Sequence, residues 1–219
     1  MQRFWLFLPL GVFSALVFAS GGCGSNSTND DRVTSLEINT VSADYTTIAP
    51  STLIVLPRGE EVILSVRGRL SSSAVAPVNH QVVRWETSDP SYVIKHTTNY
   101  YITVTSTKDW FDNVNSEPTT TVTAHYEDGT ATTQIRSVIN ANGKWTATAA
   151  GSTQKLSLTQ HGRTITDAKT GISGTIDGDN LVINNTLFVV DAHFDTRERA
   201  VGTFSGSGVN GDFTCTKDQ

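Results

Sequence analysis

Five histidines, His80, His96, His125, His161 and His193, are the natural starting points for acid–base or metal chemistry. None forms a close pair or an HExxH motif. The two cysteines, Cys23 and Cys215, cannot make the four-ligand thiolate cluster of a structural zinc. Cys215 alternates with Phe213 in a strand-like run, so both are expected to face an interior, the thiol packing as a small hydrophobe. An intermolecular disulfide would require that side chain to face outward. Gly206-Ser207-Gly208-Val209-Asn210-Gly211 satisfies G-x-G-x-x-G, but phosphate binding needs a helix N-terminus to follow, and Asp212-Phe213-Thr214-Cys215 reads as strand. Asp177-Gly178-Asp179-Asn180 supplies too few oxygens for the six to eight that Ca²⁺ takes, and reads as a turn. Asp191, Asp195, Glu198 and Arg199 cluster in a polar strand-to-turn segment where solvation accounts for them. Carboxylate pairs that meet only in the fold stay open. The expectation is a non-catalytic chain with no catalytic residue, metal or cofactor.

Trp110 and Phe111 stand out differently. They lie between Lys108, Asp109, Asp112 and Asn113, and two aromatics in such a polar loop are costly to leave in water. Either the loop folds back to plug the end of its module, or it forms a candidate binding loop, since Trp is enriched at binding hot spots. Composition bounds the partners. Sixteen Lys+Arg against twenty-one Asp+Glu give −5 and a pI near 5.5. That balance argues against nucleic acid, whose binders carry basic domains. With 37% hydrophobic and 17% charged residues, wholesale disorder is excluded.

These residues must be held by strands. The 219 residues include 32 Thr and 21 Ser but one Met, a composition of strands and turns. Period-2 alternation recurs at 33–38, 61–67, 82–86, 92–94, 100–104, 119–126 and 130–138, broken by Gly, Pro, Asn and Asp. Glu127-Asp128-Gly129 joins the last two as a hairpin. Seven short strands in this span predict an immunoglobulin-like sandwich over 32–138. Asn140-Ala141-Asn142-Gly143 reads as part of a linker over 139–143. Over 144–219, alternation and turns recur closely enough for about eight strands, which predicts a small antiparallel β-meander or barrel, closed or nearly closed to hide its edges. A barrel this short is expected to be filled by side chains, with little cavity left.

Three resemblances add expectations. Arg3 precedes sixteen uncharged residues, Phe4 to Ala19, short for a spanning helix of about 20 residues. Ser20-Gly21-Gly22-Cys23 resembles a bacterial lipobox, and a polar tether follows at 24–29. The resemblance implies a lipoprotein signal peptide over 1–22, lipidation at Cys23 with a flexible tether over 23–31, and membrane attachment through that lipid. Removal of 1–22 leaves fifteen bases and twenty-one acids, a charge of −6. By resemblance, placement at the outer membrane or cell surface follows from Gly24, where an inner-membrane retention aspartate would stand.

Val33-x-Ser35-Leu36-x-Ile38, Leu56-Pro57-Arg58-Gly59-Glu60, Val83-x-Trp85-x-x-Ser88-Asp89-Pro90-Ser91 and Thr121-Val122-Thr123-Ala124 resemble the bacterial immunoglobulin-like group 2 domain. Ser106–Pro118 departs from that family, which has a short Gly-containing turn there. Gly143-Lys144-Trp145 with Leu156-x-Leu158-x-Gln160-x-Gly162 is similar to the opening of lipocalin- and avidin-like meanders. Together these imply a non-catalytic envelope lipoprotein that presents two β-modules for adhesion to an unknown protein or polysaccharide. The alternatives are a carrier of a small ligand in the second module and an accessory module for an envelope polysaccharide.

Overall fold

The computed structural model describes residues 32–43, 47–78, 82–113, 116–206 and 208–219. The expected signal peptide, Cys23 and its tether lie outside the described residues, as does His80. The described chain is all-β. Its first module is a sandwich of strands β1 (Val33–Val41), β2 (Thr47–Pro50), β3 (Leu53–Pro57), β4 (Glu61–Leu70), β5 (Val75–Pro77), β6 (Arg84–Thr87), β7 (Tyr92–His96), β8 (Ile102–Ser106), β9 (Thr119–Tyr126) and β10 (Gly129–Val138). One sheet runs β2-β1-β4-β8-β7 with β5 beside β4, and the other β3-β10-β9-β6. Alternation selects the core: Leu64, Val66, Ile102, Val104, Val122 and Ile135 point inward and are buried. Trp85 is half-buried against this core. Tyr92 is buried and donates its hydroxyl to the Pro118 carbonyl at 2.6 Å, which fixes the end of the 106–118 loop. Burial pushes that phenol up to about 12.

The second module is a closed eight-stranded barrel: β11 (Gly143–Ala149), β12 (Ser152–His161), β13 (Thr164–Asp167), β14 (Ile172–Asp177), β15 (Asn180–Asn184), β16 (Phe188–Thr196), β17 (Arg199–Gly206) and β18 (Val209–Lys217). Each strand pairs antiparallel with the next, and β11 pairs with β18 from Trp145↔Lys217 to Ala149↔Phe213. The apolar residues of the alternating pattern face inward, Ile172, Ile176, Leu181, Ile183, Val190 and Phe194 among them. Thr148, Thr175, Asp191 and Thr203 lie on the opposite, water-facing parity. A membrane-spanning barrel has the reverse pattern, with an apolar outer band. Among the described residues no helix is long and apolar enough to cross a membrane.

Strand parity sorts the barrel turns into two groups. Turns 161–164, 177–180 and 196–199 share one end with the start of β11, and turns 149–152, 167–172, 184–188 and 206–209 share the other. The first group meets the sandwich. The chain reaches the sandwich at Arg32, beside Leu70 and Ser71, the end of β4 opposite the one that touches the barrel.

Candidate functional site: an open barrel mouth above a clamped seam

The junction between the modules is packed rather than loose. Ile139 and Ala141 are buried in the barrel core, so 139–143, expected as a linker, is a shared structural segment. Gln160, also buried, holds it from β12: its Oε1 accepts from the Ala141 N–H at 2.7 Å, and its Nε2 donates to the carbonyls of Ile139 and Gly162 at 3.0 and 2.8 Å. Asn140 donates to the Arg58 carbonyl at 2.7 Å, and Asn142 to Glu60 Oε1 at 3.1 Å. Small polar residues read as linker from sequence are here the side chains that satisfy backbone groups at the junction.

The 106–118 loop makes the rest of the seam. Asp109 caps a 3₁₀ turn, Trp110–Asp112, accepting from the Phe111 N–H at 3.0 Å, while Asp112 Oδ2 accepts from the Asp109 N–H at 2.9 Å. Asp109 is only 1% exposed, and Arg197 of the β16–β17 turn reaches it with Nε at 2.9 Å and Nη2 at 3.1 Å. The same guanidinium lies 2.7 Å from Asp112 Oδ1 and 5.7 Å from the centre of the Phe111 ring. Burial pulls the Asp112 carboxyl upward, but the Asp109 N–H and Arg197 outweigh it and hold the carboxyl below its ordinary value. Glu117 forms a second clamp: its carboxylate accepts from the Gly178 N–H at 2.9 Å and pairs with Arg163.

Trp110 lies on the barrel side of this loop rather than plugging the end of its own sandwich. It is half-buried against the barrel core, covering the β14–β15 turn at Gly178. A Cβ on Gly178, whose φ is +64°, would stand 2.9 Å from the Trp110 ring. Phe111 keeps 36% of its surface exposed beside Arg197. The described part of the loop packs against the second module of the same chain. Asp177 and Asp179 belong to this seam turn, and Gly206–Gly211 to the β17–β18 hairpin, as the sequence reading of both has it. Among the described residues no group of three His, Cys, Asp or Glu converges on a common point.

Above the seam the barrel interior is layered. The seam half is full: Trp145 donates its indole N–H to the Ala141 carbonyl at 2.8 Å and packs edge-on to Phe194 at 6.1 Å. Only about 10 Å³ of void remains among Trp145, Leu158, Ile165, Leu181 and their neighbours. Phe213 and Cys215 face this interior, and burial pushes the thiol up to about 12.

The mouth half is not filled. β11 presents Ala147 and Ala149 where Trp145 stood one layer below, and they are too small to meet Phe188, Val190 and Phe204 across the lumen. The result is a cavity of about 410 Å³, within the ~300–1,000 Å³ of ligand pockets and larger than the expectation of a filled barrel allowed. Phe188 and Phe204 lie 5.6 Å apart on one wall. Ser152, Thr153 and Gln154 supply polar atoms on the other, and among the described residues no charged side chain lines the cavity. The two alanines in alternate positions of one strand open it, though only the strand register shows that nothing opposite fills the space.

No protein-family model matches the chain, and no curated protein matches it. Among solved structures, domains 5-6 of the S-layer protein SbsC are similar over 79% of this chain and 84% of that one, at 12% identity and a TM-score of 0.34. A protocadherin gammaB7 EC3-6 cis-dimer structure is similar over 85% of this chain and 50% of that one, at 13% identity and a TM-score of 0.28.

Proposed function

We propose that this chain is a non-catalytic, lipid-anchored envelope protein whose barrel takes a small, uncharged, largely apolar ligand at its mouth. The sandwich is the mount, and Cys23 carries the anchor. The observation that supports the reading is the mouth cavity of about 410 Å³, walled by Ile183, Phe188, Val190, Phe204 and Phe213 with polar atoms on one side only. Apolar surface removed from water there contributes roughly 25 cal/mol per Å². The Ser152–Gln154 edge favours a ligand with one hydrogen-bonding end, and the lack of charged lining residues disfavours an ionised group deep in the lumen.

Titration of the full chain with a fluorescent long-chain alcohol tests this. Saturable one-to-one binding is expected, with loss in Ala147→Phe, whose ring would occupy the lumen while the melting temperature stays close to wild type. Non-saturable uptake, or equal binding by a folded Ala147→Phe protein, overturns the reading. Adhesion to an envelope polysaccharide is a second reading. It is favoured by a cleft of about 430 Å³ at the seam, where Arg136, Arg163, Asp177 and Asn180 surround the edge of Trp110. Pull-down on isolated polysaccharide, compared with Arg136→Ala, tests it.

A further inference from the structure

The two ends of the barrel differ in charge in a way the fold does not require. The three seam turns carry Arg163, Asp177, Asp179, Arg197, Glu198 and Arg199. At the mouth, turns 149–152, 184–188 and 206–209 carry no charged residue, and turn 167–172 carries Asp167 and Lys169. Asp167 is buried and accepts from the Lys169 N–H at 3.0 Å and the Thr170 hydroxyl at 3.0 Å. Lys169 is therefore the one charge that these turns present to solvent among the described residues.

The same rim is apolar. Leu187, Val189 and Val209 are 67%, 40% and 48% exposed. Phe188 pairs with Gly206 and Gly206 with Val209, which sets Leu187 and Val209 at the rim ends of neighbouring strands, while Val189, opposite Ser205, lies on the outer wall just below them. Gly206 permits the close approach, since a Cβ there would lie 2.5 Å from Phe188 Cβ. Exposed apolar side chains gathered at one rim of a water-facing module suit an interaction surface.

We propose that the mouth rim docks onto a phospholipid bilayer, with Leu187 and Val209 entering the headgroup–acyl boundary and Lys169 meeting lipid phosphate. Charge selects this occupant. The chain carries −5, and its carboxylates are repelled by anionic headgroups within a Debye length of about 8 Å. Among the described residues the mouth turns present no exposed carboxylate and their exposed charge is Lys169, while Asp191 and Asp212 stand three residues down the outer wall. The rim is also a ring of separate turn tips, suited to a deformable surface. Docking goes beyond the ligand reading and stands without it. If that reading holds as well, an acyl or alcohol chain leaves the bilayer directly into the cavity that the ring surrounds.

The test uses the full chain with Cys23→Ser, which removes any acyl anchor, and an environment-sensitive fluorophore on Thr186→Cys, beside Leu187. Cys215 is buried and stays unlabelled. With phosphatidylcholine vesicles, with or without phosphatidylglycerol, the label is expected to shift to the blue and to be quenched by lipids brominated on the acyl chain. The same label on Thr203→Cys, on the outer barrel wall, stays silent. Leu187→Asp with Val209→Asp lowers the partition coefficient about tenfold or more, and Lys169→Glu weakens binding only to the anionic vesicles. A silent label at position 186, whether the protein sediments with vesicles through another segment or not at all, overturns the proposal. Alcohol titration without vesicles reports the cavity separately, so failure of either reading leaves the other legible.

Discussion

Removing the Arg197 guanidinium is the sharpest probe of how the two modules are joined. Arg197→Ala deletes two hydrogen bonds to Asp109, at 2.9 and 3.1 Å, and one contact to Asp112 at 2.7 Å. Asp109 would keep only the Phe111 N–H and, at 3.9 Å, the Arg58 guanidinium. Stranding one partner of a fully buried pair costs about 3–5 kcal/mol, whereas an exposed pair is worth about 0–1 kcal/mol. The Arg197 side chain is 37% exposed while that of Asp109 is 1% exposed, so the expected loss lies between, at about 2 kcal/mol including the Phe111 contact. Urea unfolding of the full chain followed by tryptophan fluorescence measures it, because Trp85 reports the sandwich and Trp145 the barrel. Wild type should unfold in one transition and the variant in two, with a smaller slope for each. Arg197→Lys should restore less than half of the loss, since an ammonium cannot reproduce the fork. The pH dependence has a fixed sign. The folded Asp112 carboxyl is held below its unfolded value, so its contribution is present above that value and fades as pH falls through the folded pKa. The difference between wild type and variant should therefore shrink below about pH 4. A loss under about 0.5 kcal/mol, or one that grows in acid, would refute the reasoning.

Other consequences can be checked directly. Gln160→Leu keeps the volume but strands the Ala141 N–H and two carbonyls, and should cost about 2–4 kcal/mol in the same urea assay. Gly178→Ala meets both the Trp110 ring and a φ of +64°, and should cost about 1–3 kcal/mol. Added to Trp110→Ala it should cost measurably less, and strict additivity in that double-mutant cycle would place the ring elsewhere. Cys215 should resist a thiol-specific chromogenic reagent in the native protein and react on unfolding, its thiol being buried with a pKa pushed up to about 12. Rapid native labelling at position 215 would contradict the inward register of β18.

The barrel was legible because its strands keep strict alternation. Ile172, Gly174 and Ile176 face in while Ser173, Thr175 and Asp177 face out, and each break falls on a turn residue. β3 was not legible as a strand: Leu53-Ile54-Val55-Leu56 does not alternate, and its partner is the parallel edge of β10 far along the chain. β2 and β5 are four and three residues long, too short for periodicity to register. The Trp110 loop announced itself by its cost in water, but its cover comes from Gly178 and Arg197, 88 residues beyond Asp109 in the latter case. Sequence spacing carries no information about such a pair. The cavity was hidden for another reason: whether two alanines leave a void depends on the residues opposite them, and that requires the register of all eight strands. Asn140 and Asn142 read only as linker residues because the composition of a linker and of a hydrogen-bonded junction is the same.

An even number of up-and-down strands brings a barrel back to the side on which it started. Gly143 and Lys217 thus both lie at the seam, and among the described residues the four mouth turns sit at the end away from it. Residues that clamp the two modules and residues that line the cavity and its rim are segregated at opposite ends of the same strands. Insertions or exchanges in turns 184–188 and 206–209 can then reshape the cavity mouth without testing the clamp, because neither the Asp109–Arg197 nor the Glu117–Arg163 pair has a member there. For a designer, the module is a cup with a fixed base and four interchangeable lips.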